Sequence, residues 1–259
     1  ILHIDLDADV LARICAPMVG INANLGDALP QIQSALNEQP DRSQWSSRIA
    51  EKKSIFAQAI ADELAPQLDW LDAIRDAMPE EGIFVDELTQ IGYVSRFAFP
   101  CYSPRTFLST GYQGTLGWGI ASAIGAAHAR RDVPVVSIAG DGGAMFTISE
   151  LASAAHHNIP INIIVMNDNA FGNVRSIQRD NYDARFVASD LSSPDFVKLA
   201  ESCGVHGMRA TTPDELRYEL SKAIANQGPN LIEVPVGEFP SPWKYILMPK
   251  LRGLRSELR

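Results

Sequence analysis

The stretch that decides the fold is VVSIAGDGGAMFTISELASAAHHNIPINIIVMNDNAFGNV, residues Val135 to Val174. An apolar strand read from Val133 to Ala139 leads straight into Gly140-Asp141-Gly142-Gly143. A second apolar run, Ile161 to Met166, ends on Asn167-Asp168-Asn169. Short apolar runs without strict alternation read as strands covered on both faces, the mark of a parallel sheet. Between them, Thr147-Ile148-Ser149-Glu150 has capping-box spacing and predicts a helix starting near Thr147. The segment is thus a βαβ unit with carboxylates and amides at both strand ends, where ligands sit in open parallel sheets.

Outward from this unit the alternation continues. Upstream lie a helix (Trp70 to Met78), a strand in GIFVDE, an aromatic- and proline-rich loop from Tyr93 to Phe107, and the small-residue helix GWGIASAIGAAHAR. Downstream, SSPDFVKLAESCG predicts a helix with Ser193 as N-cap, Pro194 at its first position and Gly204 just past its end. TTPDELRYELSKAIANQG repeats that design with a Thr212/Glu215 capping box, and a last strand runs from Asn230 to Val236. The expected class is α/β: a mostly parallel sheet with helices on both faces, preceded by the tail of a central α/β domain. The tail is residues 1–37, with a strand at Leu2 to Leu6, an irregular middle and a helix from about Gly26 to Leu36. Residues 38–69 form a linker and a helix broken by Pro66, residues 70–249 the ligand-binding domain, and residues 250–259 a tail. Because ILHIDLD reads as a strand already in progress, the chain is expected to be part of a longer polypeptide.

The net charge of −9 argues against a nucleic-acid or anionic-membrane surface. Three cysteines, Cys15, Cys101 and Cys203, form no CxxC pair, so neither a disulfide framework nor a zinc site is expected. A reducing, cytoplasmic setting follows, with no apolar run long enough to span a bilayer.

Glycines at the end of the first strand leave backbone N–H groups open to a phosphate. A phosphate there would repel Asp141 and Asp168 unless a cation stood between them. Mg²⁺ meets that need, because it takes carboxylate, carbonyl, water and phosphate oxygens. Either motif alone is more often a turn. Together on consecutive strands, 27 residues apart (168 − 141), they predict a Mg²⁺–diphosphate site. A dinucleotide fingerprint is excluded, since GTLGWGIAS places Ser122 where the third glycine of GxGxxG belongs.

With these residues in hand, Gly-Asp-Gly followed by the Asn-rich strand end and NAFG resembles the diphosphate motif of thiamine-diphosphate-dependent enzymes. The likeness is to the acetolactate synthase, benzoylformate decarboxylase and pyruvate decarboxylase group. GYQGTLGWGIASAIGAA is similar to that family's glycine-rich segment, and ILHIDLDADVLAR to the end of its central domain. The resemblance implies Asp141, Asp168 and the Ala170 carbonyl as Mg²⁺ ligands; Asp168 stands where the family usually has Asn. It implies Gly142, Gly143, Ala144, Leu88, Thr89 and Gln90 at the diphosphate, with Phe171 and Gly172 beside it. It implies Leu116 as the prop that bends the cofactor and the Gly114 carbonyl as acceptor for the aminopyrimidine. Phe171, Val174, Arg175 and Gln178 are candidate pocket residues, although a solvated Arg175 is the plainer reading. Ile177 stands where acetolactate synthases carry Trp.

The activity implied is decarboxylation of a 2-oxo acid, ending in an aldehyde or, by attack on a second carbonyl, a 2-hydroxy ketone. The catalytic glutamate that activates the pyrimidine is expected in an N-terminal domain outside this chain and from a partner subunit. A homodimer or homotetramer is therefore implied, and the isolated chain is expected to be inactive. FAD use is left open. A non-catalytic cofactor-binding or interaction subunit of the same fold is the alternative. His156-His157 read as a surface turn, Glu87 as polar support or pocket, and SPWKYILMPKLRG as a lid or as packing on the domain.

Overall fold

The computed structural model describes residues 1–13, 16–36, 43–111 and 113–247. The expected linker around residues 37–42 and the tail at 250–259 lie outside the described residues. The chain divides into two compact units, one holding residues 1–58 and the other Ala59–Ile246.

In the first unit β1 (Leu2–Asp5) pairs in parallel with β2 (Val19–Asn22), Leu2 opposite Val19 and Asp5 opposite Asn22. The irregular middle expected there thus contains a strand. Asn24 caps α1 (Leu25–Ala35), its side chain accepting from the Gly26 N–H at 2.7 Å. Leu2, Val19, Leu25 and Leu29 are all exposed, and in α1 only Ala28 is buried.

The helix α2 (Ser43–Ala77) is assigned as one element with non-helical angles at Leu64 (φ −120°, ψ 19°). Pro66 both lacks an N–H and crowds the carbonyl of Asp62, which explains a kink where the sequence predicts two helices. There follow β3 (Ile83–Val85), α3 (Gln90–Ala98), β4 (Phe107–Leu108), α4 (Trp118–Ala129), β5 (Val135–Gly140) and the short turn α5 (Asp141–Ala144). Then come α6 (Glu150–His156), β6 (Ile161–Asn167), α7 (Gly172–Asn181), α8 (Phe196–Ser202) and β7 (His206–Arg209). The elements α9 (Pro213–Asn226), β8 (Asn230–Pro235) and α10 (Trp243–Ile246) complete the order.

Six strands form one parallel sheet in the order β4-β3-β5-β6-β8-β7. Alternate residues face opposite cores. Val136, Ile138, Ile164 and Ile232 pack with Leu71 and Ile74 of α2, Val94 of α3 and Leu216 of α9. Val135, Ala139, Ile163 and Leu231 pack with Ala123 of α4, Leu151 of α6 and Phe196 of α8. Both faces are covered, which is why β5, β6 and β8 read as continuous apolar runs. From β3 the chain steps outward to β4 and then returns to β5 on the other side of β3. That reversal is a topological switch point, and the crevice beyond the carboxyl ends of β3 and β5 is where such sheets receive ligands.

Three local expectations need correction. The loop from Tyr93 to Phe107 is helical through Ala98, because Ile91, Val94 and Ser95 recur at helical spacing on a buried face and Pro100 follows its end. Thr147 opens no capping box: α6 starts at Glu150 with no side-chain cap, and Thr147 Oγ1 donates to the Gly117 carbonyl instead. Ser193 is not the N-cap of α8. Asp195 is, accepting from the Lys198 N–H at 3.2 Å. The Thr212 cap of α9 stands as expected, accepting from the Glu215 N–H; Glu215 reaches back one residue further, to the Thr211 N–H at 2.7 Å.

Candidate functional site

The ends of β5 and β6 bring Asp141 and Asp168 side by side. Asp141 opens the turn α5 and is 1% exposed; its Oδ2 accepts from Ser193 Oγ at 2.5 Å, while its buried Oδ1 has no hydrogen-bond partner. Asp168 Oδ1 accepts from the Ala170 N–H at 3.2 Å, and its Oδ2 accepts from Gln90 Nε2 at 2.6 Å. Burial first, and then the neighbouring Asp141 carboxylate, push the Asp168 carboxyl up to about 6. Two adjacent carboxylates with an unpartnered buried oxygen form a site that a divalent cation would relieve. Among the described residues no cluster of three or more His, Cys, Asp or Glu could hold a metal. A cation here would therefore complete its shell with carbonyl, water and phosphate oxygens, which is what Mg²⁺ favours.

Irregular backbone holds the loop after β6. Asn169 adopts φ 53°, Ala170 bridges Asp190, and the Phe171 N–H donates to the Ser189 carbonyl at 2.8 Å. The segment 189–193 thus fixes the loop and delivers Ser193 to Asp141. Sequence reasoning missed this, since Ser-Ser-Pro-Asp is an ordinary helix-start signal and nothing local marks a partner 52 residues away.

Thr89, Gln90, Gly114, Leu116, Asp168, Phe171 and Gly172 all line one cleft of about 240 Å³. Asp141, Gly142 and Phe171 line a second of about 320 Å³, and Ala170 borders a third with Gln90 and Asp168. Gly143 and Ala144 are buried beneath, Ala144 within the core. The candidate residues drawn from four separate stretches of sequence therefore line neighbouring clefts beyond the carboxyl ends of β3, β5 and β6, at and beside the switch point.

Among the pocket candidates, Val174 lines the first cleft. Arg175 pairs with Asp190 and lies 5.2 Å from the Phe186 ring; Gln178 is tied to the Val187 backbone at 2.9 Å. Arg175 nevertheless borders the cleft it shares with Gln90 and Asp168. His156 and His157 are exposed at the end of α6. The described stretch after β8 packs on the domain: the Trp243 ring lies tilted 5.0 Å from that of Tyr93 and donates to Asn173 Oδ1 at 3.0 Å, and the Phe239 N–H donates to Gln90 Oε1 at 2.8 Å. Glu87 is fully buried and accepts the N–H groups of Gly117 and Gly119, so it is polar support rather than pocket.

Comparison with known proteins places the chain in a family. Residues 89–234 match the family model described as thiamine pyrophosphate enzyme, C-terminal TPP binding domain. The large subunit of acetolactate synthase isozyme 1 from Escherichia coli K12 is 30% identical over 91% of this chain and 42% of its own length. A probable acetolactate synthase large subunit from Methanocaldococcus jannaschii is 33% identical over 91% of this chain and 42% of its length. The chain thus spans under half the length of these relatives. The structure of a thiamine diphosphate-dependent 4-hydroxybenzoylformate decarboxylase from Rhodococcus jostii RHA1 superimposes with a TM-score of 0.72 at 25% identity, covering 93% of this chain and 44% of that one. Matched across more than half its length by the family model, the chain belongs to the thiamine pyrophosphate enzymes and carries their C-terminal, TPP-binding domain.

Proposed function

We propose that this chain binds the diphosphate of thiamine diphosphate through Mg²⁺ and is the cofactor-holding part of an acetolactate synthase-like enzyme acting on 2-oxo acids. The observation that carries the reading is the unpartnered Oδ1 of Asp141 beside the Asp168 carboxyl at the switch point. Asp141, Asp168 and the Ala170 carbonyl would hold the cation. Gly142 and Gly143 would offer N–H groups to the phosphates, with Thr89 and Gln90 beside them. Leu116, Gly114, Phe171 and Gly172 would shape the pocket for the rest of the cofactor.

The cofactor supplies the electron sink that cleavage of a carbon–carbon bond next to a carbonyl requires. In the overall reaction the bond between the carbonyl and carboxylate carbons breaks and carbon dioxide leaves. A proton or a second carbonyl compound takes its place. The chain's own residues bind, orient and keep water out. We take the activating glutamate and a second copy of the chain to complete the site. Residues 1–37 are read as the end of a central domain, which would cover the apolar side chains exposed on β1, β2 and α1.

Isothermal titration calorimetry with thiamine diphosphate and Mg²⁺ tests the reading. Binding that requires the metal and is lost in Asp141→Ala is expected. Equal affinity with and without a divalent cation would overturn it.

A further inference from the structure

Beneath the clefts lies a fully buried carboxylate that faces none of them. Glu87 follows β3 and reaches across to the start of α4, where Oε1 accepts the Gly117 N–H and Oε2 the Gly119 N–H, both at 2.8 Å. The Glu87 carbonyl also accepts the Thr89 N–H at 2.8 Å. Gly119 and Gly143 pack directly on its side chain: a Cβ on Gly119 would lie 2.7 Å from Oε2, and one on Gly143 would overlap Oε1. One residue therefore touches all three segments around the crevice: the loop carrying Thr89 and Gln90, the turn carrying Gly114 and Leu116, and the glycine turn after β5.

A carboxylate suits this place for a physical reason. Burial pushes the Glu87 carboxyl up, while the two N–H donors at the helix start favour its charged form. Two donors face two acceptor oxygens. A glutamine could accept only one of them and would turn its own N–H₂ against the other.

We propose that Glu87 is a positioning residue of the cofactor site, setting the Leu116 turn at its working distance from the Asp141–Gly143 diphosphate turn. The proposal rests on the cofactor reading above and deepens it. Thiamine diphosphate must engage both turns at once, whereas inorganic pyrophosphate needs the metal, the glycine turn and the Thr89–Gln90 loop but not the Leu116 turn. Glu87 should therefore govern the first ligand and not the second.

The test is calorimetric titration of the full chain with Mg²⁺ and either ligand, at a temperature where circular dichroism shows the variant folded. In Glu87→Gln, thiamine diphosphate is expected to bind about tenfold more weakly, the scale of one lost charged hydrogen bond, with pyrophosphate within about twofold of the wild type. Affinities that fall together, or a lowered melting temperature with both unchanged, would reduce Glu87 to a general structural role and overturn the proposal. A wild-type chain that binds neither ligand would sink the cofactor reading itself. If Glu87→Gln does not fold, hydrogen exchange on the wild type decides. Protection of the Gly117 and Gly119 amides before cofactor is added supports positioning by Glu87. Free exchange until thiamine diphosphate binds overturns it.

Discussion

Asp168 carries a charge where the family resemblance leads one to expect an amide, and its surroundings show the consequence. Gln90 donates to one oxygen and the Ala170 N–H to the other, yet burial and Asp141 still hold the carboxyl at about 6. Raised above its usual value, this group adds stability to the metal-free fold at low pH and loses it as pH rises through 6. A cation competes with that proton, so the sign for metal binding is the opposite. Mg²⁺ should bind about tenfold more weakly at pH 5 than at pH 7.5, because only about a tenth of the carboxyl is then ionised. Asp168→Asn should flatten that dependence and weaken binding at neutral pH, as read by titration of Mg²⁺ in the presence of cofactor. Equal metal dependence in the two proteins would contradict the role given to the extra charge. At this scale Asp141 and Asp168 were legible, because each terminates a buried apolar strand. The bond from Ser193 to Asp141 was not, and for Glu87 support and pocket stayed equally open, since the partners lie 52 and about 30 residues away and no local pattern encodes them.

Helix starts show how far local chemistry decides an element. Thr212 caps α9 as its sequence predicts, with Pro213 in the first turn. Thr212→Ala should cost about 1 kcal/mol, read from the shift in denaturant midpoint. Ser193-Pro194 carries nearly the same signal and yet caps nothing, because Asp195 supplies a cap two residues later and Asp141 claims the serine. The strands β5, β6 and β8 were legible from composition alone. The helix α3 was not: Tyr93, Phe97 and Phe99 among prolines look like an irregular loop, and only the buried Ile91, Val94 and Ser95 reveal the helical period. The same elements place the site, for α3 begins at Gln90 and so brings its amide to Asp168.

Across the whole molecule, stability comes from two apolar layers on a sheet with both faces covered. Ile164, on the β6 face toward α9, is fully buried. Ile164→Ala should lower the free energy of unfolding by about 2–5 kcal/mol with an unchanged denaturant slope. Thiamine diphosphate and Mg²⁺ should recover part of that loss by binding only the folded chain. The class of sheet was legible, but its order was not, because the return from β4 to β5 leaves no mark on the residues that make it. Nor did the sequence reveal that the stretch after β8 would be stitched to the first loop of the site. Gln90 completes its hydrogen bonding with the Phe239 N–H, 149 residues further along. On the ribosome, at about 5–20 residues per second, roughly 7–30 s separate the making of these two partners. Until Phe239 is made, the Gln90 amide that backs the Asp168 carboxyl lacks this partner, so that hold on Asp168 is completed only after β8 has been synthesised.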